Sequence, residues 1–305
     1  MQSERKSSPG GHSHAPVNHG KAFAIGISMN LAFVVIETVY GILSHSMALV
    51  ADAGHNLTDV LSLGLSWGAA ILAARAPTRR RTYGLRSATI LASLANAMAL
   101  LFVTGAIAWE SVRRIASPEP VATKTVIVVA LIGVAVNGVS ALFFATGKKG
   151  DLNIRSAFLH LAADAAFSLG VAVAGAVMMF TGWRRLDPLV SIGLSVVILW
   201  SAWSLLRSSV NLALNAVPEG IDPDEIRAYL SGLADVDEVH DLHIWAMSTT
   251  ENALTGHLVM KRQTEPSFVA NVCHELHERF GIEHSTLQID AADGDPCRLA
   301  PDAVL

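Results

Sequence analysis

The sequence predicts an α-helical membrane protein, with six transmembrane helices followed by a small α+β domain in the order αββαβ. Three observations lead there. Hydrophobic residues make up 51% of the 305-residue chain and charged residues only 16%; the mean hydropathy is +0.43, a balance that a water-soluble domain of this size does not keep. Six apolar runs reach the ~20 residues that a helix needs to cross a hydrocarbon core. The charge also changes sign along the chain: residues 215–305 hold 17 acidic and 5 basic residues, leaving 9 acidic and 17 basic before them.

Residues 1–20 form a polar tail without the apolar core of a cleavable signal peptide. Its GGHSHAPVNHG brings His12, His14 and His19 close together, a tract able to gather metal weakly. The membrane region, 21–212, divides into spans at 22–43, 47–74, 88–115, 123–145, 156–180 and 188–212, separated by turn-rich breaks such as LSHS, ASPEPVA and TGWRRLD. Six spans place both termini on one side of the bilayer. With the N-terminus inside, twelve Lys and Arg flank inner helix ends against five at outer ends, so the positive-inside rule puts both termini in the cytoplasm.

Residues 213–292 read as an acidic, water-soluble domain, about the size at which one core becomes stable alone. DPDEIRAYLSGLADV has helical spacing at Ile226, Tyr229, Leu230 and Leu233 behind an acidic first turn. VHDLHIWAM and ALTGHLVMKR read as strands, PSFVANVCHELHERFG as a helix closed by glycine, and HSTLQID as a last strand. Residues 293–305 form a polar tail containing Cys297. With Cys273 the only other cysteine, a disulfide framework is not expected in a reducing compartment. Nothing in the chain marks a nucleic-acid partner.

Within the second span, ADAGHNLTDV interrupts apolar sequence with Asp52, His55, Asn56 and Asp59. At 100° per residue, Asp52, His55 and Asp59 fall within about 60° of one another, on one helix face. Ionisable groups at membrane depth persist where they pair, line a wet cavity or bind an ion. The fifth span repeats the pattern: in SAFLHLAADAAFSLG, His160 and Asp164 are again four apart. A single such pair is most simply an interhelical hydrogen bond. Two identical spacings offer two imidazole nitrogens and two carboxylates, a tetrahedral set whose charge cancels a divalent cation, and zinc suits it. Asp52 is either an outer partner of His55 or an interface residue. Glu37 and Asn30 read as interhelical hydrogen-bond partners, and His45 as an exposed turn residue.

Together, SMALVADAGHNLTD, HLAAD and VHDLHIWAM resemble the cation diffusion facilitator family, specifically its zinc-transporting branch, over nearly the whole chain. The resemblance implies a homodimer in a bacterial inner membrane that exports Zn²⁺ in exchange for protons, with Cd²⁺, Co²⁺ and Fe²⁺ as alternative cargoes. It implies a transport site of His55, Asp59, His160 and Asp164, and a C-terminal domain of ferredoxin or metallochaperone type that regulates and dimerises. Metal ligands in that domain map to His240, His257, His284 and Asp290, and Gln288 stands where some relatives carry histidine. His284, Gln288 and Asp290 share strand parity and so one sheet face; His243 is of opposite parity to His240 and reads as structural. His274 and His277 read as solvated. APTRRRTYG carries no histidine or cysteine for a loop metal site, and TGKKGDLN lacks the histidine-rich tract of many eukaryotic members.

Two other classes stand beside transport. A membrane zinc enzyme needs an open coordination position and a general base, as in HExxH, and this chain has no HExxH. A metal receptor that signals without transport is separated from a transporter by whether vesicles bearing the protein move zinc.

Overall fold

Ser46 and Asp187 fix where the second helix begins. In the computed structural model, which describes residues 20–145, 152–262 and 265–292, the apolar runs form α1 (Gly20–Leu43), α2 (Met47–Ala73), α3 (Ala88–Ala116), α4 (Thr123–Ala145), α5 (Leu152–Thr181) and α6 (Leu186–Ala213). Ser46 caps α2 by accepting from Leu49 N. Asp187, on the first turn of α6, accepts from Ser46 Oγ and from the backbone N–H groups of Met47 and Ala48. The orphan donors of one helix start are thereby satisfied by a buried carboxylate on another helix.

Helices α2 to α6 are each long and apolar enough to cross a membrane. Helix α1 forms over 24 residues, and its apolar stretch among the described side chains is the shorter Leu31–Leu43. Helix α5 starts four residues before the expected 156, while the other ends fall within two residues of expectation. The histidines at 12, 14 and 19, the TGKKGD stretch, Cys297 and the Asn30 side chain lie outside the described residues.

Small residues let the helices approach. A Cβ on Gly133 of α4 would lie 2.8 Å from Phe33 Cζ of α1 and 2.8 Å from Ser168 Oγ of α5; one on Gly175 of α5 would lie 2.9 Å from Ile127 Cγ1 of α4. Close backbone contact is how helices associate where no hydrophobic drive separates them from lipid. Leu49, Val126, Val129, Ala130, Val171 and Ala172 fill the centre, while Phe102, Phe143, Phe180 and Trp200 stand exposed around the outside, as lipid-facing residues do.

The C-terminal domain adds α7 (Pro223–Ser231), β1 (Val236–Ala246), β2 (Asn252–Met260), α8 (Phe268–Phe280) and β3 (His284–Ala291). Asp222 caps α7 by accepting from Asp224 N, and α8 ends at Gly281 with φ 64°, a left-handed turn that glycine adopts without strain. The sheet order is β1-β2-β3, β1 antiparallel and β2 parallel to their respective successors; the parallel step is made through α8, as a crossover requires. Ile226, Leu230, Ile244, Leu254, Leu258, Val272 and Leu276 form the core between the helices and one sheet face. The other face carries the histidines.

The two parts touch through the loop after α2. Arg86 meets Glu251 at 2.9 Å, Thr89 Oγ1 accepts from Thr249 N, and the Tyr83 ring lies edge-on to His284 at 5.5 Å. The loop between α2 and α3 therefore marks the near end of the bundle. The α1–α2 turn lies at the far end, where His45 is held by Glu119 at 3.1 Å rather than standing free.

Candidate metal centre

Helix α2 descends from the far end and α5 ascends from the near end, so the two His/Asp pairs face each other in antiparallel sense. His55 Nε2 lies 3.6 Å from Asp59 Oδ2 and 3.5 Å from Asp164 Oδ1. His160 Nε2 lies 3.5 Å from Asp59 Oδ2 and 3.6 Å from Asp164 Oδ2. The four side chains thus close a ring in which each imidazole touches both carboxylates.

These separations are long for hydrogen bonds, and Asp59 Oδ2 and Asp164 Oδ1 are buried without a hydrogen-bond partner among the described residues. They suit a shared ion instead. Donors about 2.1 Å from a tetrahedral centre sit about 3.4 Å from one another; ligand atoms of Asp59, His160 and Asp164 all lie within 4.8 Å of one another, and His55 joins them through Asp59 and Asp164.

Exposure divides the ring. The members nearer the C-terminal domain, Asp59 and His160, have side chains 29% and 50% exposed, whereas His55 is 16% and Asp164 4% exposed. Beyond them towards the far end, Asp52 is 2% exposed and Glu37 fully buried. The ring opens on the side of the C-terminal domain and is closed on the other. Asp52 accepts from Ser168 Oγ at 2.7 Å, and Glu37 accepts from Asn56 Nδ2 at 3.2 Å, an interhelical bond of the kind expected.

A second cluster lies on the helix-free face of the C-terminal sheet. His240 and His257 are cross-strand partners with ring centroids 5.1 Å apart, and ligand atoms of His240, His257 and Asp290 all lie within 4.8 Å of one another. Both ring nitrogens of His240 are buried without a hydrogen-bond partner among the described residues. His257 Nδ1 is 3.1 Å from Asp290 Oδ2, and Gln288 Nε2 donates to Asp290 Oδ1 at 2.9 Å.

The Gln288 amide, and after it His257, hold the Asp290 carboxyl below the usual carboxylate range. A carboxyl depressed on folding contributes stability that is present above its unfolded value near ~3.9 and is lost as pH falls through the lower folded value. Asp290 therefore stays ionised through the neutral range.

Two expectations for this domain are corrected. His284 is on the expected strand but pairs with Ala253, while Gln288 pairs with His257. Four residues of strand, about 13 Å, separate it from the cluster, and its ring rests on Tyr83. Shared parity fixes a face, not a position along it. His243 is not turned away from His240: the β1–β2 register advances three residues on β1 for two on β2 between them, a bulge at Asp241, whose φ is 49°. His243 returns to the histidine face, where it meets Asp241 at 2.9 Å, and Asp241 Oδ2 lies 3.6 Å from His257 Nε2. Sequence reading missed Asp241 because nothing in VHDLHIWAM announces the bulge.

Residues 23–212 match the cation efflux transmembrane domain and residues 218–292 the cytoplasmic domain of cation efflux proteins. The chain belongs to the cation efflux family. Within that family it is 34% identical over 286 residues to the cadmium, cobalt and zinc/H⁺-K⁺ antiporter of Bacillus subtilis, covering 92% of each chain. It is 34% identical over 297 residues to the zinc transporter ZitB of Escherichia coli, covering 96% of this chain and 93% of that one. To the metal cation efflux system protein CzcD of Cupriavidus metallidurans it is 32% identical over 296 residues, with the same coverage. As a cation efflux protein it is an integral membrane protein of a transporter family.

Replacing His240 and His257 together with alanine is expected to lower zinc binding by the C-terminal cluster and to slow transport without ending it. Equilibrium dialysis and vesicle flux on the same preparation measure both. Complete loss of flux in correctly assembled protein would place this cluster on the ion's path.

Proposed function

We propose that this cation efflux protein exports Zn²⁺ from the cytoplasm in exchange for protons, with His55, Asp59, His160 and Asp164 as the transport site. The observation that carries the reading is the closed ring of two imidazoles and two carboxylates inside the membrane bundle, with edges of 3.5–3.6 Å. Two neutral imidazoles and two carboxylates cancel the charge of a divalent ion, and a tetrahedral N₂O₂ set is one that zinc accepts. The names of the relatives support the same cargo, with cadmium and cobalt as alternatives.

The chain's own asymmetry supports a direction. We place both termini in the cytoplasm, on the charge bias of the helix ends, so the ring's open side faces the cytoplasm. Metal enters past Asp59 and His160, and rocking of helices about the site then opens the far end. Histidine binds metal only when neutral and aspartate only when ionised, so protons arriving from outside expel the ion and leave with the bundle as it resets. The C-terminal domain joins two copies into a dimer and senses zinc through His240, His257 and Asp290, and its contact with the α2–α3 loop carries that signal to the membrane helices.

Everted vesicles containing the purified chain test the proposal: they take up zinc when loaded with acidic buffer, and protein-free vesicles do not. Vesicles that bind zinc without moving it would favour the receptor reading.

Selectivity follows from the donor types. His55→Asp adds a third negative charge and an oxygen donor able to bind in two modes, a site that tolerates larger ions and higher coordination numbers. The variant is expected to transport cadmium better relative to zinc, measured as the ratio of the two uptake rates in one vesicle preparation. An unchanged ratio means that His55 does not set selectivity.

A further inference from the structure

One helical turn beyond the ring, towards the far end, lies a second set of buried polar groups that the transport site does not use. On α2 the step is from His55 to Asp52, and on α5 from Asp164 to Ser168; each is about 5 Å along the helix. Glu37 joins them from α1, its carboxyl beside that of Asp52. Both carboxyls are buried, Glu37 at 0% and Asp52 at 2% exposure.

Their hydrogen bonds leave a deficit. Asn56 donates to Glu37 Oε2 and Ser168 to Asp52 Oδ2, but Glu37 Oε1 is buried with no neutral donor among the described residues. No lysine or arginine lies on α2 or among residues 31–43 of α1, where the side chains are described; the charged or titratable groups acting on the pair, beyond each other, are His55 and Asp164 of the ring.

Two adjacent buried carboxyls, with one neutral donor each and no fixed cation of their own, are stabilised either by one shared proton or by a bound cation. We propose that Glu37 and Asp52 form a second divalent-cation site, one turn outward of the ring, that receives the metal as it leaves. The inference rests on the reading of the ring as the transport site. Ser168 Oγ is the neutral protein oxygen beside it, and water completes the coordination. An all-oxygen set holds zinc less tightly than one containing imidazoles, which suits a station near the exit. The ion then moves from a tight site to a weaker one on its way to solvent.

The test is equilibrium dialysis of the purified full-length protein against zinc, in a His257→Ala background that weakens the C-terminal cluster. The membrane domain should hold two zinc ions per protomer, the second at least tenfold weaker. Glu37→Gln should lose the weaker ion, leave the affinity for the tighter one within twofold of the parent, and lower zinc flux at least tenfold. Asp59→Ala should do the reverse, losing the tighter ion and keeping the weaker. Asp52→Asn provides the same readout should Glu37→Gln fail to fold. A single membrane-domain zinc that Glu37→Gln and Asp52→Asn both leave in place overturns the proposal and means that the pair shares a proton. Loss of both ions in Asp59→Ala overturns it too, because the weaker ion then depends on the ring. If Glu37→Gln removes the weaker ion while Asp59→Ala retains the tighter, the second site stands and the assignment of the ring fails.

Discussion

Asp164→Ala is expected to abolish zinc flux while leaving the protein assembled. Asp164 is the most buried member of the ring and touches both imidazoles, His55 through Oδ1 at 3.5 Å and His160 through Oδ2 at 3.6 Å. Removing it takes away a ligand, half of the charge that compensates a divalent ion, and the group that holds the two rings together. Loss of an outer partner of a metal ligand commonly costs 10–100-fold in affinity or activity, so loss of a ligand should cost on the order of 100-fold or more. Folding should survive, because Asp59 still faces both imidazoles, His55 at 3.6 Å and His160 at 3.5 Å, and leaves neither without a partner. Asp164→Asn, of nearly the same volume, separates charge from space: it should be as inactive as the alanine variant. Uptake into vesicles, normalised to protein recovered as a single assembled species, gives the result, and uptake at the parent rate from either variant would remove the ring as the transport site.

The reason this side chain could be chosen from sequence is physical. Lipid-facing helices tolerate so few ionisable residues that H-x-x-x-D stands out in ADAGHNLTDV and again in SAFLHLAADAAFSLG, and the i,i+4 spacing places each pair on one face without further information. The helix ends were legible for a similar reason, since turn residues and charges interrupt long apolar runs. What the spacing does not carry is position across elements. His284 shares parity with Gln288 and Asp290 yet pairs with Ala253, far along the strand from His257. Asp241 and His243 reach the histidine face only through a bulge, which depends on a positive φ that VHDLHIWAM does not signal. Glu37 illustrates the same boundary. Its bond to Asn56 was within reach of sequence reasoning, because a buried polar residue on a membrane helix needs a partner, but its approach to Asp52 depends on how α1 crosses α2. Gly133 is part of that arrangement, as it lets α4 approach Phe33 and Ser168. The chemistry of single helices was readable, and the chemistry made by crossings was not.

Collapsing the proton gradient is expected to end zinc accumulation against its own gradient. The ring's own chemistry requires this if the exchange is real: the ligands that bind the metal are the groups that bind protons, and one site cannot hold both. In everted vesicles with an acidic interior, the far end of the bundle faces the acid. Protons reaching the imidazoles and carboxylates there displace zinc into the lumen, and the neutral medium outside strips those protons when the ring reopens on the C-terminal-domain side. Zinc should therefore rise in the lumen above its external concentration, and the initial rate should increase as the lumen is made more acidic. An ionophore that equalises pH removes the only asymmetry that distinguishes the two faces, so accumulation should fall to simple equilibration. The chain has no P-loop for nucleotide binding. A luminal pH dye read alongside a zinc dye adds a second check, since each zinc entering should be matched by protons leaving, and Asp164→Ala should silence both signals together. Continued accumulation after the pH gradient is gone would sink the proton-exchange mechanism; the potassium named in the Bacillus subtilis relative would then be the next driving ion to impose, as a potassium gradient across the same vesicles.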